Sequence, residues 1–412
     1  MNILEARCAG LARLLLLLAL GVGGHALAGA PCAGPQRLCA SVNTNTSARA
    51  PMLAMLDDPA IQPRPVKAQT NEPSPPPPAS TTPIRIALLL PLRSSTLAPA
   101  AAAVRAGFMA GMERDGTGFK AEIVSTGDAP RDVLDAYARA ALASDIIVGP
   151  LARAAVAALA GSDAITRPTV VLSVPEGRTT VPRLMLVAGL SVEDEARQVA
   201  DWAARDHPHG RALILTGGAA WAQRAAGAFE ARWTRLGHTN QRFALPSGEG
   251  RKAAIDELRQ KLEIDPPDLL FAALDGAGLR PVRALAGAVI PCYGGGAANP
   301  GRTAEPGLAG LDGVRILDLP WIVLPDHPVV MVYPRPLDTE QPPDLDRLYA
   351  LGIDAFRVAR ELALRGGAPF SLDGVTGRLD VSTGPGGQLQ LQRVEAAVVV
   401  RDGAFDPADG ER

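Results

Sequence analysis

From Ile84 onward the chain alternates short apolar runs with helical segments, and this alternation limits the folds open to it more than any other feature. Ile84-Arg-Ile-Ala-Leu-Leu-Leu90 is apolar on both faces and stops at Pro91, the pattern of a buried parallel strand. A helix is expected over 100–113, a strand over 120–125, a helix over 131–143 and a strand over 145–148 that ends at Gly149-Pro150. A helix over 151–160 and a strand over 169–174 follow. Strand–helix–strand order of this kind predicts a parallel sheet covered by helices on both faces.

The pattern then runs a second time. After a short strand at 184–187, Ser191-Val-Glu-Asp-Glu-Ala-Arg-Gln198 reads as a capped helix start, with Ser191 as the cap and acids in the positive first turn. Strands at 212–216, 241–245, 269–273 and 288–292 alternate with helices at 219–236 and 251–262. A chain of 412 residues exceeds what one core usually supports. The expected fold class is therefore α/β, with two lobes, each a mainly parallel sheet flanked by helices.

Ahead of this domain the chain has a different character. Arg7 and Arg13 flank the start of the apolar run Leu14 to Leu20, and Ala26-Leu-Ala28 supplies a small-residue cleavage site, so residues 1–28 read as an export signal. Residues 29–83 form a leader rich in Pro, Ala, Ser and Thr, and its segment 71–80 is expected to be an extended polyproline spacer. Cys32 suggests lipidation, but Pro31 directly before it constrains the backbone a signal peptidase must grip, so a soluble exported chain is the expectation and membrane anchoring is not. Cys32 and Cys39 are placed to close a small loop in an oxidising compartment, while Cys292 reads as a buried apolar residue.

A net charge of −2 and the lack of a basic tail or nucleic-acid motif exclude nucleic acid as the partner. No histidine pair sits at metal-ligand spacing, and His207-Pro-His209 falls in a loop. There is no Gly-x-Ser-x-Gly elbow, and Leu215-Thr-Gly-Gly-Ala219 lacks the ending of a phosphate loop, so no catalytic residue, metal or cofactor is expected. A small ligand would sit between the lobes, at the carboxyl ends of strands. The candidates there are Ser94, Ser95, Ser173 and Glu176 from the first lobe and Thr216 and Asp275 from the second, with Glu176 or Asp275 available for an amine. Aromatics make up only 4% of the chain, and Tyr293 and Trp321 are the two expected near strand ends.

Near the carboxyl end, Leu345, Leu348, Tyr349, Gly352, Ala355, Phe356 and Ala359 recur at helical spacing, and Phe370-Ser-Leu-Asp-Gly-Val-Thr-Gly-Arg-Leu-Asp380 follows as a glycine-punctuated hairpin. With Ile86-Ala-Leu-Leu-Leu-Pro-Leu92, Ile147-Val-Gly-Pro-Leu151 and Leu190-Ser-Val-Glu-Asp-Glu-Ala-Arg197, this order resembles the carboxy-terminal domain of the penicillin-binding protein activators of the LppC type. The resemblance covers about 84–404. It implies a periplasmic-binding-protein type I fold whose chain crosses between lobes near 190, 319 and 370. Lobe 1 would then hold 84–190 and 319–370, lobe 2 would hold 191–318 and 371–404, and 405–412 would be a tail.

The resemblance also implies a non-catalytic periplasmic regulator that binds and activates a bifunctional penicillin-binding protein in peptidoglycan synthesis. Relatives of this kind are commonly outer-membrane lipoproteins with a preceding helical-repeat domain; the leader of about 55 residues is short for such an array. The rival expectation is a periplasmic receptor that closes on an amino acid or amide for a transporter or sensor. Arg224, Arg232 and Arg235 are the candidates for a docking surface for a synthase, with a solvated charged face as the expectation, and Asp354 is expected to pair with Arg357 on the helix surface.

Overall fold

The computed structural model describes residues 82–177, 179–301, 307–336 and 342–408; the expected export signal, nearly all of the leader, Cys32, Cys39 and the last four residues lie outside the described residues. The first lobe runs β1 (Ile84–Leu90), α1 (Ala98–Asp115), β2 (Phe119–Ser125), α2 (Pro130–Ala143), β3 (Ile146–Val148), α3 (Arg153–Ala160), β4 (Thr169–Val171) and β5 (Met185–Val187). Its strands form a parallel five-stranded sheet in the order β2-β1-β3-β4-β5. The unbroken apolar run of β1 follows from burial on both faces: Ile86, Leu88 and Leu90 pack toward α1, while Ala87 and Leu89 pack with Val133, Tyr137 and Val156 of α2 and α3.

The second lobe follows with α4 (Val192–Asp206), β6 (Ala212–Thr216), α5 (Ala220–Arg235), β7 (Asn240–Ala244), α6 (Arg251–Ile264), β8 (Leu269–Ala273), α7 (Gly276–Ala286), β9 (Cys292–Gly294) and β10 (Val314–Asp318). The Asp194 N–H donates to Ser191 Oγ at 3.1 Å, so Ser191 caps α4 as expected. The pattern did not indicate α7, because Gly276, Gly278 and Pro281 read as breakers. It forms because Asp275 caps it and Leu279, Val282 and Ala286 bury against the sheet. The strand after it consequently begins at Cys292, four residues later than the pattern indicates.

The remaining elements are α8 (Pro320–Val323), α9 (Pro328–Met331), α10 (Pro343–Arg365), β11 (Phe370–Gly374), β12 (Gly377–Thr383), β13 (Leu389–Val394), β14 (Ala396–Arg401) and β15 (Ala404–Pro407). The second sheet has seven strands in the order β15-β14-β10-β9-β8-β6-β7, parallel from β10 to β7, with β14 and β15 antiparallel at one edge. The segment expected to be a tail is thus partly a strand.

The hairpin β11–β12 and β13 form a separate antiparallel sheet, and its inward residues Phe370, Leu379 and Val381 join the core of the first lobe. The third crossing therefore comes at Glu395, between β13 and β14, rather than near residue 370. Alternating apolar positions explain the difference: Phe370, Leu372, Leu379, Val381, Leu389 and Leu391 face the first lobe, and Ala396, Val398 and Val400 face the second.

The helix α10 is buried almost all round along its middle, not on one stripe. Tyr349, Ala350 and Ile353 belong to a core continuous with the second sheet, whereas Leu351, Ala355 and Phe356 belong to that of the first. Glycines permit its close approach to α1: a Cβ on Gly107 would overlap the Tyr349 carbonyl, and one on Gly352 the Val104 carbonyl. Phe108 and Phe356 meet edge to face beside them, with ring centroids 5.4 Å apart.

Candidate functional site

The three crossings converge on a network of buried charge. Arg393 ties the third to the first: its Nη2 donates to the Ala188 carbonyl at 2.7 Å and its Nη1 to that of Gly189 at 3.1 Å. Its Nε donates to Thr376 Oγ1 at 3.1 Å, and the Thr376 hydroxyl donates to Asp354 Oδ2 at 2.6 Å. Asp354 also accepts from the Val375 and Thr376 amides at 3.1 and 2.7 Å. It is 1% exposed, so it clamps the β11–β12 turn to α10 rather than serving as a surface partner of Arg357, although that pair forms at 3.2 Å.

At the second crossing Asp318 is also 1% exposed. Arg347 grips it with two bonds, Nε to Oδ1 at 3.0 Å and Nη2 to Oδ2 at 2.7 Å, and Asn299 Nδ2 donates to Oδ2 at 2.9 Å. Burial alone would lower the pKa of Arg347, but the Asp318 carboxylate outweighs it and holds the guanidinium charged. Arg347 Nη2 also donates to the Gly296 carbonyl at 2.7 Å, fixing the Gly295-Gly296 backbone. The Glu195 carboxyl lies directly on that backbone, where any Cβ on Gly295 would overlap Oε1.

A cavity of about 730 Å³ opens beside this network. Its floor is the ends of β8, β9 and β10, and its far wall is the first turn of α10. Much of the lining is apolar, with Leu190, Val192, the half-buried Trp221, Leu319 and Leu348 among it. Glu195 and Glu395 line it together. Burial, then the charges of Glu395 and Asp318, holds the Glu195 carboxyl well above the usual range; burial foremost pushes Glu395 up to about 7, against the nearby Arg393. Glu395 is 6% exposed, and its Oε2 has no hydrogen-bond partner among the described residues. Glu395 also lines a second, more polar groove of about 810 Å³ between α4, the β4–β5 loop and β13.

The residues expected in one cleft separate into different places. Ser94 is buried and spends its Oγ on the Leu97 amide at 2.8 Å and the Thr96 amide at 3.2 Å, shaping the turn before α1; Ser95 is exposed beside it. Ser173 and the exposed Glu176 lie in the β4–β5 loop at the edge of the polar groove, and Ser173 Oγ is buried with no partner among the described residues. Thr216 is 4% exposed and its hydroxyl donates to the Gly217 carbonyl at 3.2 Å. Of the six, Asp275 alone lines the 730 Å³ cavity, and its Oδ1 is occupied in capping α7 through the Gly278 amide at 2.6 Å.

Nor do Tyr293 and Trp321 face a ligand: both are fully buried, and the Tyr293 hydroxyl donates to Asp206 at 2.6 Å. The aromatic at the cavity is Trp221, on the first turn of α5. The expected basic surface on α5 is largely neutralised, since Arg224 pairs with Glu193 at 2.8 Å and Arg232 with Asp201 at 2.6 Å. Cys292 is buried, and burial pushes its thiol up to about 11. Among the described residues, no group of three or more His, Cys, Asp and Glu side chains is disposed to hold a metal ion, and no helix is long and apolar enough to cross a membrane.

The buried acids Glu195, Asp318 and Glu395 were not singled out from the sequence. Glu195 sat among the acids of a helix first turn, where solvent exposure is the ordinary case. Two signals were present: Asp318 closes the apolar run Val314-Arg-Ile-Leu, and Glu395 precedes the apolar run Ala396 to Val400. An acid at the end of a buried strand points toward a shared cleft.

Residues 79–246 match the sequence profile of the family described as "LppC putative lipoprotein". A solved structure from Chromobacterium violaceum, described as a "putative branched-chain amino acid ABC transporter", is 34% identical, covers 77% of this chain and all of its own, and superposes with a TM-score of 0.63. The carboxy-terminal domain of Haemophilus influenzae LpoA, described as a regulator of PBP1A, is 21% identical with a TM-score of 0.63, covering 79% of this chain and 99% of that domain. Full-length LpoA from the same organism is 22% identical with a TM-score of 0.64, and the match spans 59% of its length. A leucine-binding protein from Thermotoga maritima shares the fold at 18% identity and a TM-score of 0.51, with 79% of this chain and 97% of that one covered. No curated protein is significantly similar to the chain.

Proposed function

We propose that this chain, which matches the LppC family over residues 79–246 and has the type I periplasmic-binding-protein fold, binds a bifunctional penicillin-binding protein and favours the active conformer of that synthase, catalysing nothing itself. Activation of this kind needs only a surface with higher affinity for one conformer of the partner. The observation that carries the reading is the apolar seam between the lobes. Trp321, Val330, Tyr333 and Tyr349 extend the core of the second sheet as far as Ala110 on α1, within one continuous cluster. Rigid-body opening would expose that cluster to water, which favours a fixed body presenting one surface over a pair of lobes that swing.

The proposal places the chain in the periplasm, carried there by its amino-terminal signal, with the proline-rich leader as spacer. The test is pull-down of a class A synthase by the full chain, together with the synthase's peptidoglycan crosslinking activity with and without it. Binding with increased crosslinking is the expected result. Neither binding nor any change in crosslinking would overturn the proposal.

A second reading, a solute receptor for a transporter, is favoured by the description of the 34% identical relative. It requires the lobes to close on a ligand. Small-angle scattering with and without leucine separates the two: a ligand-induced contraction supports the receptor, an unchanged profile the fixed body.

A further inference from the structure

We propose that the 730 Å³ cavity between the second sheet and the first turn of α10 is a binding site for a small organic amine without an acidic group, held by Glu395 and Glu195. Charged groups are removed from water at large cost unless they are paired, and this cavity is lined by carboxyls in excess of available cations. Of its acids, Asp318 is satisfied by Arg347 and Asn299, and Asp275 by the α7 amide it caps. Glu395 is left with Oε2 enclosed and unpartnered among the described residues, and Glu195 rests on the glycine backbone beside it.

The two guanidinium groups at the cavity are already engaged. Arg347 is divided among Asp318, Asp344 and the Gly296 carbonyl, and Arg280 donates to the Ala309 and Gly307 carbonyls at 3.0 and 2.5 Å. An ammonium supplies the missing donors, whereas a carboxylate on the same ligand meets carboxyls without a spare cation. The apolar lining takes the body of the ligand, and the indole of Trp221 offers a face to its cationic end or its hydrocarbon. A volume of about 730 Å³ falls in the ordinary range for small-molecule sites.

The anchors set this site apart from a receptor cleft of the kind expected from the sequence. Glu195 belongs to the element that follows the first crossing, and Glu395 is the third crossing itself. None of the lobe 1 candidates, Ser94, Ser95, Ser173 or Glu176, lines the cavity. The proposal does not rest on synthase activation, and its readout is binding, so it can fail while activation stands, and the reverse; a leucine receptor would bind leucine at least as tightly as the amine and so stands against it.

The test is calorimetric titration of the full chain with isoamylamine, with leucine, which is the same skeleton bearing a carboxylate, and with isoamyl alcohol, which lacks the charge. Isoamylamine is expected to bind about tenfold or more tightly than either of the others, the loss typical of a charged hydrogen-bonding partner removed. Glu395→Gln and Glu195→Gln, each verified as folded by circular dichroism, are expected to weaken isoamylamine about tenfold or more. Glu395→Gln keeps the shape of the side chain while removing its charge, and the circular-dichroism check separates loss of binding from unfolding. Absence of amine binding at millimolar concentration, leucine or the alcohol binding as tightly as the amine, or full amine affinity in either variant would overturn the proposal.

Discussion

Gly352→Ala tests how closely α10 packs on α1 in the first lobe, because two physical effects predict opposite signs. Replacing an interior helical glycine by alanine stabilises an unpacked helix by about 1 kcal/mol. At Gly352, however, the added Cβ would overlap the Val104 carbonyl and stand 2.7 Å from the Phe108 amide nitrogen. Those are backbone atoms of a helix and cannot rotate aside, so α10 must move away from α1. The shift loosens the Phe108–Phe356 ring contact, worth about 0.5–1.5 kcal/mol, and adds overpacking strain of about 1–3 kcal/mol. Packing outweighs propensity, and a net destabilisation of about 1–3 kcal/mol is expected.

The assay is urea unfolding of the full chain followed by tryptophan fluorescence, with Gly227→Ala as the control. Gly227 is also helical, on α5, but the nearest atom to its added Cβ is Arg242 Nη2 at 3.4 Å, the end of a flexible side chain. There propensity should prevail, leaving stability unchanged or raised by up to about 1 kcal/mol. If Gly352→Ala were as stable as Gly227→Ala, the close approach of the two helices would be refuted. Gly107→Ala should act in the same direction, and the double variant should cost less than the two separately, because the helices need to part only once.

Asp354→Ala should destabilise by about 3–5 kcal/mol, since it strands the buried amides of Val375 and Thr376, the Thr376 hydroxyl and Arg357; Asp354→Asn should recover part of this. A loss below about 1 kcal/mol in urea unfolding would mean the β11–β12 turn is held by other contacts. Stability should also fall as pH rises from about 5 to 8. Glu395, pushed up to about 7 by burial and faced by Asp194 and Glu195 on α4, Asp318 on β10, Arg347 on α10 and Arg393 on β13, binds its proton more tightly folded than unfolded. Its contribution is therefore present below the ordinary glutamate pKa and is lost through about 7, amounting to up to about 3 kcal/mol. Glu395→Gln should flatten that slope in unfolding curves taken across the range, and a wild-type slope no steeper than the variant's would contradict the burial argument.

Much of the architecture was legible because parallel strands buried on both faces leave unbroken apolar runs, as at β1, and because Ser191 announces its helix by local chemistry. What escaped was set by tertiary contact. The helix α7 carries glycines and a proline that local propensity penalises, and only burial of Leu279 and Val282 compensates. The hairpin at 370–380 was visible as a hairpin, but which lobe it would cover depends on the partner of its inward face, which spacing does not encode. Among the cleft candidates, short polar residues at strand ends proved to satisfy their own turns, as Ser94 and Asp275 do. The acids that share the cavity come from elements about 200 residues apart, and no local window contains both.

The proposed activation has to be compatible with the proposed locked body. Such a protein raises a synthase's activity only through the difference in its affinity for two conformers of the partner, and carrying an equilibrium from 1:99 to 99:1 takes about 5.5 kcal/mol of that difference. Long-range charge attraction is a weak source here, because the net charge is −2 and two of the three candidate arginines on α5 are paired with acids on α4. The difference must then come from short-range complementarity of a surface held in one shape. That gives the seam a functional reason: each degree of freedom left between the lobes would be lost on docking, at an entropic cost subtracted from the discrimination available. The buried charges act in the same direction, since Arg347 joins α10 to Asp318 at the end of β10 and to the Gly296 carbonyl after β9, and loses those partners if the lobes rotate.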